Sequence, residues 1–354
     1  MKNKILDRIK LSNKITLSKK SKTFIVAEIS GNHNGNINNI YKSIDLIKKA
    51  GGDAIKIQSY EPDTITVNSK KKYFFIKDKS IWKGQYLYDL YKSAHTPFSW
   101  HKKIFQYAKK KNLFCFSSPF DLSSLKLLEN LNCPIYKVAS PEIQDLELID
   151  AISKTKKPII ISTGIADQTD IKLAVKQCLL NKNNKIILLN CISSYPAKDE
   201  ELNLSYINKL KDYTPLVGYS DHSQGNLASI ISVALGAKIL EKHFTISKRI
   251  NSADRDFSIS SNNFFKFVQD IRQTETMLGK QNINKKKILK QKLTTITRSL
   301  FYARDLEKKD IINRSDILSI RPGSGLSPQN LSKIIGKRIK KNVKKNTPVK
   351  KNHV

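Results

Sequence analysis

The chain has 354 residues, 39% hydrophobic and 27% charged, enough for one large domain and a smaller one. No stretch reaches the ~20 apolar residues of a membrane span, and the basic N-terminus lacks an apolar run of signal-peptide length. The expected location is therefore the cytoplasm. The net charge of +34 invites a nucleic-acid reading, but the excess is nearly all lysine, with only nine arginines. Lysine, asparagine and isoleucine are abundant throughout, so the charge reflects a compositional bias rather than a basic patch, and nucleic-acid binding is not expected. Cys115, Cys133, Cys178 and Cys191 form no CxxC pair, which argues against a zinc site or a disulfide framework.

Eight apolar, β-rich runs follow one another along the chain, at 24–30, 54–60, 113–120, 135–140, 158–163, 186–191, 216–222 and 238–245. Helical patterns separate them. The first, NINNIYKSIDLIKKAG, carries Ile40, Ile44, Leu46 and Ile47 at helical spacing before a glycine stop. A long, aromatic-rich segment between the second and third runs, containing Tyr86, Tyr88, Tyr91 and Trp100, reads as an ordered functional loop. Eight strand–helix repeats predict an α/β fold of the (β/α)8 TIM barrel type; no GxGxxG follows the first strand to favour an open doubly wound sheet. After Gly279 a lysine-rich stretch reads as a linker, and from about Ile296 short units predict a small C-terminal domain. The expected boundaries are 1–280, 281–295 and 296–354.

In such a barrel the chemistry lies at the C-terminal ends of the strands. Polar residues there are Glu28; Lys56 and Gln58; Ser118; Lys137, Ser140 and Glu142; Ser162; Ser193 and Tyr195; Ser220 and His222; Glu241 and His243. Side chains alternate along a strand, so Glu241 and His243 share a face. In a closed barrel they would meet His222 of the neighbouring strand. Two imidazoles on adjacent strands can bind one divalent ion and leave coordination positions open; the alternative is two hydrogen-bonded structural histidines. Interior Lys56 and Lys137 either pair with Glu28, Glu142 or Glu241, or hold an anionic group with the serine hydroxyls; a Schiff-base lysine ranks lower.

The stretches AEISGNHNG, AIKIQSY, FSSPFD, YKVASPEI, KPIIISTG, SSYPA, GYSDHS, GAKILEKHFT and RPGSGLSP, in this order over nearly the whole chain, resemble the sialic acid synthase family, which includes pseudaminic and legionaminic acid synthases. The resemblance implies a barrel followed by a small antifreeze-like (SAF) domain. It also implies condensation of phosphoenolpyruvate with an N-acetylated sugar aldehyde, giving a nine-carbon 2-keto acid and phosphate. It implies a divalent metal, Mn2+ or Mg2+, on His222 and His243. Phosphoenolpyruvate would be held by Lys56, Lys137, Ser118, Ser140, Ser162, Ser193 and Ser220, and the sugar by Glu28, Gln58, Tyr195 and Asp254. Glu28 and Glu241 would handle protons. The family's dimer, in which each SAF domain caps the partner's barrel, would carry Arg321 to the other protomer's sugar.

WKGQYLYDLY and HTPFSWH resemble the pseudaminate branch, whose sugar is 2,4-diacetamido-2,4,6-trideoxy-altrose; an aromatic loop suits a sugar in which a methyl and an acetyl replace hydroxyls. A neuraminate or legionaminate synthase is the alternative within the family, and a metal-dependent barrel hydrolase or isomerase the alternative outside it. SAD, ending in Asp254, stands where the resemblance implies GPD, so the aspartate remains but the loop before it lacks its glycine and proline; Asn190 is read as either a core amide or a specificity change.

Overall fold

A computed structural model describes residues 4–78, 80–279 and 294–354, so the expected linker, apart from its last two residues, lies outside the described residues. The chain divides into two compact units, the first ending at Gly279.

The first unit opens with a hairpin the sequence had not announced, β1 (Arg8–Lys10) and β2 (Thr16–Ser18), paired antiparallel. It buries Ile9, Leu11 and Leu17 in the main core. The backbone N–H of Leu6, ahead of β1, bonds the Asn184 carbonyl just before a barrel strand, which puts this end of the chain at the N-terminal end of the barrel strands.

Eight parallel strands follow: β3 (Phe24–Glu28), β4 (Ala54–Ser59), β5 (Phe114–Pro119), β6 (Tyr136–Val138), β7 (Ile159–Ser162), β8 (Ile186–Asn190), β9 (Val217–Asp221) and β10 (Ile239–Thr245). Each pairs with the next, and β10 pairs with both β9 and β3. The sheet is therefore closed, as the eight repeats predict. A short β11 (Ile259–Ser260) adds to the C-terminal end of β10. Isoleucine, leucine and valine runs buried on both faces form these strands, as parallel sheets require.

The helices carry conventional signals. In α1 (Ile37–Ala50) the Asn36 side chain accepts the Asn38 N–H, Ile40, Ile44 and Ile47 face the core, and Gly51 at φ +83° ends the helix. These features satisfy terminal backbone groups and supply the left-handed cap. Inside the barrel, a Cβ at Gly218 would lie 2.5 Å from both the Ile239 carbonyl oxygen and Leu189 Cδ2. Only glycine lets β9 approach its neighbours there.

The described residues of the long segment after β4 form α2 (Pro62–Ile65), α3 (Leu87–Ala94) and α4 (Phe98–Lys110), in keeping with the order expected from its aromatics. The second unit pairs β12 (Ser299–Tyr302) with β13 (Ile317–Ile320) and builds its own core from Leu300, Tyr302, Ile317, Ile334 and Val349.

Candidate active site

Strand register carries charged side chains into the barrel's C-terminal end. Glu28 lies opposite both Lys56 and His243, Gln58 opposite Ser118, and Glu241 opposite Ser220. Lys56 Nζ pairs with Glu28, lies 3.5 Å from Glu241 Oε1 and donates to Ser118 Oγ at 3.2 Å. Lys137 Nζ lies 3.7 Å from the same Glu241 oxygen, which also accepts the Ser220 hydroxyl at 3.1 Å. Of the carboxylates considered for the lysines, Glu28 and Glu241 are paired with them, whereas Glu142 has no ion pair among the described residues.

Environment sets the charges. Burial raises Glu28 to about 7 against the pull of Lys56. Burial also works to raise Glu241, but Lys137 and Lys56 hold it below its ordinary value. Burial lowers Lys137 and opposes charge on Lys56 too, yet Glu241 and Glu28 keep Lys56 above its usual range. The cluster holds a lysine more firmly charged than normal beside a carboxyl poised near neutrality, a pairing suited to proton transfer next to an anion.

On the β9–β10 side, His222 and His243 face each other with ring centroids 5.5 Å apart. His222 Nδ1 lies 2.6 Å from the Ile192 carbonyl. That bond places the proton on Nδ1 and leaves Nε2 as the lone-pair nitrogen, with only Ser220 Oγ near it at 3.5 Å. His243 Nδ1 is buried without a hydrogen-bond partner. Burial lowers His222 to about 4 and, with His222 beside it, puts His243 well below its ordinary value, so both rings are neutral near pH 7. Two neutral, adjacent imidazoles, one of them with an unpartnered buried Nδ1, fit a divalent cation. Among the described residues no group of three or more His, Cys, Asp or Glu is arranged as a metal cage, so any further ligands would come from substrate or water.

A hydroxyl cradle lies between β6, β7 and β8. Ser193 Oγ donates to Ser140 Oγ at 3.1 Å, and Ser140 Oγ accepts the Ile165 N–H at 2.9 Å. A Cβ at Gly164 would stand 2.7 Å from Ser193 Oγ and Cys191 Sγ and 2.9 Å from Ser140 Oγ, so this glycine keeps the cradle open. Ser162 is buried at the end of β7 and Gln58 is half-buried at the end of β4. Asp254 is buried and accepts the Gly31 N–H at 3.1 Å. The loop before it, Ser252 and Ala253, is held by Trp82 Nε1 donating to the Ala253 carbonyl at 2.9 Å.

Trp82 and Phe257 complete a wall that the sequence reading missed. Tyr195 stacks on His222 at 4.3 Å between ring centroids and lies 4.9 Å from Phe257, which packs on His243 at 4.8 Å. Trp82 covers Tyr195 at 5.7 Å and Phe257 at 6.2 Å. The aromatic segment marked the region, but only contact reveals that Trp82 is its ring that backs the Tyr195–Phe257 pair against the histidines. Arg321 is exposed in the second unit. Asn190 is a core amide: register pairs it with Tyr219 on the outer face, where its amide points at the Leu202 carbonyl.

Glu142 follows β6 with Oε2 buried and unpartnered, and burial raises its carboxyl from 4.5 to about 7. The folded chain thus keeps this proton between about pH 4.5 and 7 while the unfolded chain releases it, so stability from this group falls across that window as pH rises. Glu142→Gln is expected to raise the midpoint of thermal unfolding by about 5 °C at pH 8 and to leave it unchanged at pH 4. Thermal scans at the two pH values check this.

Residues 43–283 match the NeuB family and residues 297–354 match a SAF domain. The chain is 41% identical to a pseudaminic acid synthase of Helicobacter pylori, over 92% of this chain and 96% of that protein. It is 34% identical to an N,N'-diacetyllegionaminic acid synthase of Campylobacter jejuni, over 91% of this chain and 97% of that one. The crystal structure of an N-acetylneuraminic acid synthetase from Leptospira borgpetersenii, in complex with citrate, superposes with a TM-score of 0.72 at 29% identity, covering 81% of this chain and 95% of that one. The chain belongs to the NeuB family.

Proposed function

We propose that this chain condenses phosphoenolpyruvate with 2,4-diacetamido-2,4,6-trideoxy-altrose and water, giving pseudaminic acid and phosphate. The observation that carries the proposal is the Glu28–Lys56–Glu241–Lys137 cluster set beside two neutral imidazoles at the mouth of a closed barrel. The greater similarity to the pseudaminic than to the legionaminic relative supports the choice of sugar.

Lys56 and Lys137, with Ser118, Ser140, Ser162, Ser193 and Ser220, hold the phosphate and carboxylate of phosphoenolpyruvate. Their charge stabilises the phosphate as it leaves. Gln58, Glu142, Tyr195 and Asp254 position the sugar against the aromatic wall. His222 and His243 would hold a divalent cation, Mn2+ or Mg2+, which when bound would supply Lewis-acid polarisation of the aldehyde carbonyl. The vinyl carbon of phosphoenolpyruvate forms the new bond to the aldehyde carbon as the C=O π pair passes to the aldehyde oxygen, which takes the proton that Glu28 carries, and water adds to the cationic C2. Glu28, poised near neutrality, takes the proton from that water, with Glu241 holding the lysines in place. The tetrahedral C2 then loses phosphate by C–O cleavage and becomes the ketone. The enzyme works in the cytoplasm as a homodimer, with Arg321 of each SAF domain reaching the sugar in the other protomer's barrel. No helix among the described residues is long and apolar enough to cross a membrane.

Phosphoenolpyruvate labelled with 18O in its C–O–P bridge tests the route. The label is expected in the released phosphate; label retained in the keto acid would mean P–O cleavage and would overturn the assignment of Glu28.

A further inference from the structure

The residues that alternate with the histidine side chains form a second buried charge pair, on the outer wall of the barrel. Asp221 lies opposite Lys242 across β9 and β10, and their side chains meet at 2.7 Å with 0% and 3% exposure. Asp221 immediately precedes His222, and Lys242 immediately precedes His243. Four groups besides the strand bonds converge here. Ser223 donates its N–H and hydroxyl to Asp221 Oδ1 at 2.9 and 2.6 Å, Ser229 donates to Oδ2 at 2.6 Å, and Lys242 Nζ also donates to the Ser223 carbonyl at 3.0 Å. The residues on both sides of His222 are thus tied to each other and to the residue before His243.

A buried ion pair of this kind gives little stability over an apolar pair of the same volume. What it does give is geometry: both Asp221 oxygens are bonded, and Lys242 Nζ holds one acceptor on β9 and one on the residue after His222, which ties together the backbones carrying the two imidazoles. We infer that Asp221 and Lys242 are positioning residues that set the separation of His222 and His243 for a shared divalent cation. This rests on the cation reading of the two histidines. Outer partners that orient ligating imidazoles are worth about 10–100-fold in metal affinity.

Asp221→Asn with Lys242→Met in one chain removes both charges and leaves no lone buried ion. Full-length wild-type and double-variant proteins are compared by thermal unfolding and by calorimetric titration with Mn2+. The expected result is an unfolding midpoint close to wild type with Mn2+ affinity at least about 10-fold weaker. Wild-type affinity in the folded double variant would overturn the inference alone, while absence of Mn2+ binding by the wild-type chain would overturn the cation reading and the inference with it. If the double variant does not fold, Lys242→Arg carries the test, because it keeps the charge and changes the geometry. Weakened Mn2+ binding then supports the inference, and unchanged binding refutes it.

Discussion

Lys56→Met is expected to abolish most activity and to destabilise the barrel in a pH-dependent way. The ammonium is shared by Glu28 and Glu241 and donates to Ser118, so its loss leaves two buried carboxyls facing each other with only Lys137 nearby. Breaking a buried pair costs about 3–5 kcal/mol, which corresponds to a fall of about 5–8 °C in the unfolding midpoint. The orphaned carboxyls would respond by keeping their protons in the folded state at pH values where the unfolded chain has lost them. The destabilisation therefore grows as pH rises and is smallest in acid. Losing one preorganised charge at the reacting centre is worth about 10²–10³-fold in turnover. Thermal scans at pH 5 and 8, with phosphate release assayed where the variant is folded, check both parts; a loss of stability independent of pH would contradict the shared-ammonium account.

Trp82→Ala is expected to act on the sugar and not on phosphoenolpyruvate. The indole packs on Tyr195 and Phe257, which themselves pack on His222 and His243, and it anchors the loop before Asp254 through Ala253. Opening an apolar wall of a substrate pocket costs about 1–3 kcal/mol of discrimination. The kcat/KM for the trideoxy sugar should fall about 10–200-fold, with the KM for phosphoenolpyruvate unchanged. Steady-state kinetics with each substrate varied in turn check this; a rise in the KM for phosphoenolpyruvate would place Trp82 elsewhere in the reaction.

Much of this architecture was legible in the sequence because strand alternation and a closed eight-fold repeat leave little freedom. Once β10 reads ILEKHFT, Glu241 and His243 must share a face, and closure brings them beside Ser220 of β9 and His222 just after it. Other features were not legible, for separate physical reasons. The β1–β2 hairpin is too short and too basic to show strand periodicity, and only its three buried apolar residues reveal it. Trp82 and Phe257 reach the site from loops, where no period fixes a direction. Lys242 and Asp221 are charged residues on the outer wall, where pattern predicts apolar ones, and only the contact at 2.7 Å shows that each is the other's partner. Gly164 looks like an ordinary turn glycine until its missing Cβ is placed against Ser140, Ser193 and Cys191.

The most direct test of the central claim is phosphate release from phosphoenolpyruvate with Mn2+, offering in parallel the trideoxy-altrose, its 2,4-diacetamido-trideoxy-mannose counterpart and N-acetylmannosamine. The account predicts turnover with the altro-configured sugar and none above background with the other two. Turnover with either mannose-configured sugar in its place would contradict the substrate assignment, and no phosphate from any of the three in folded enzyme would contradict the condensation itself.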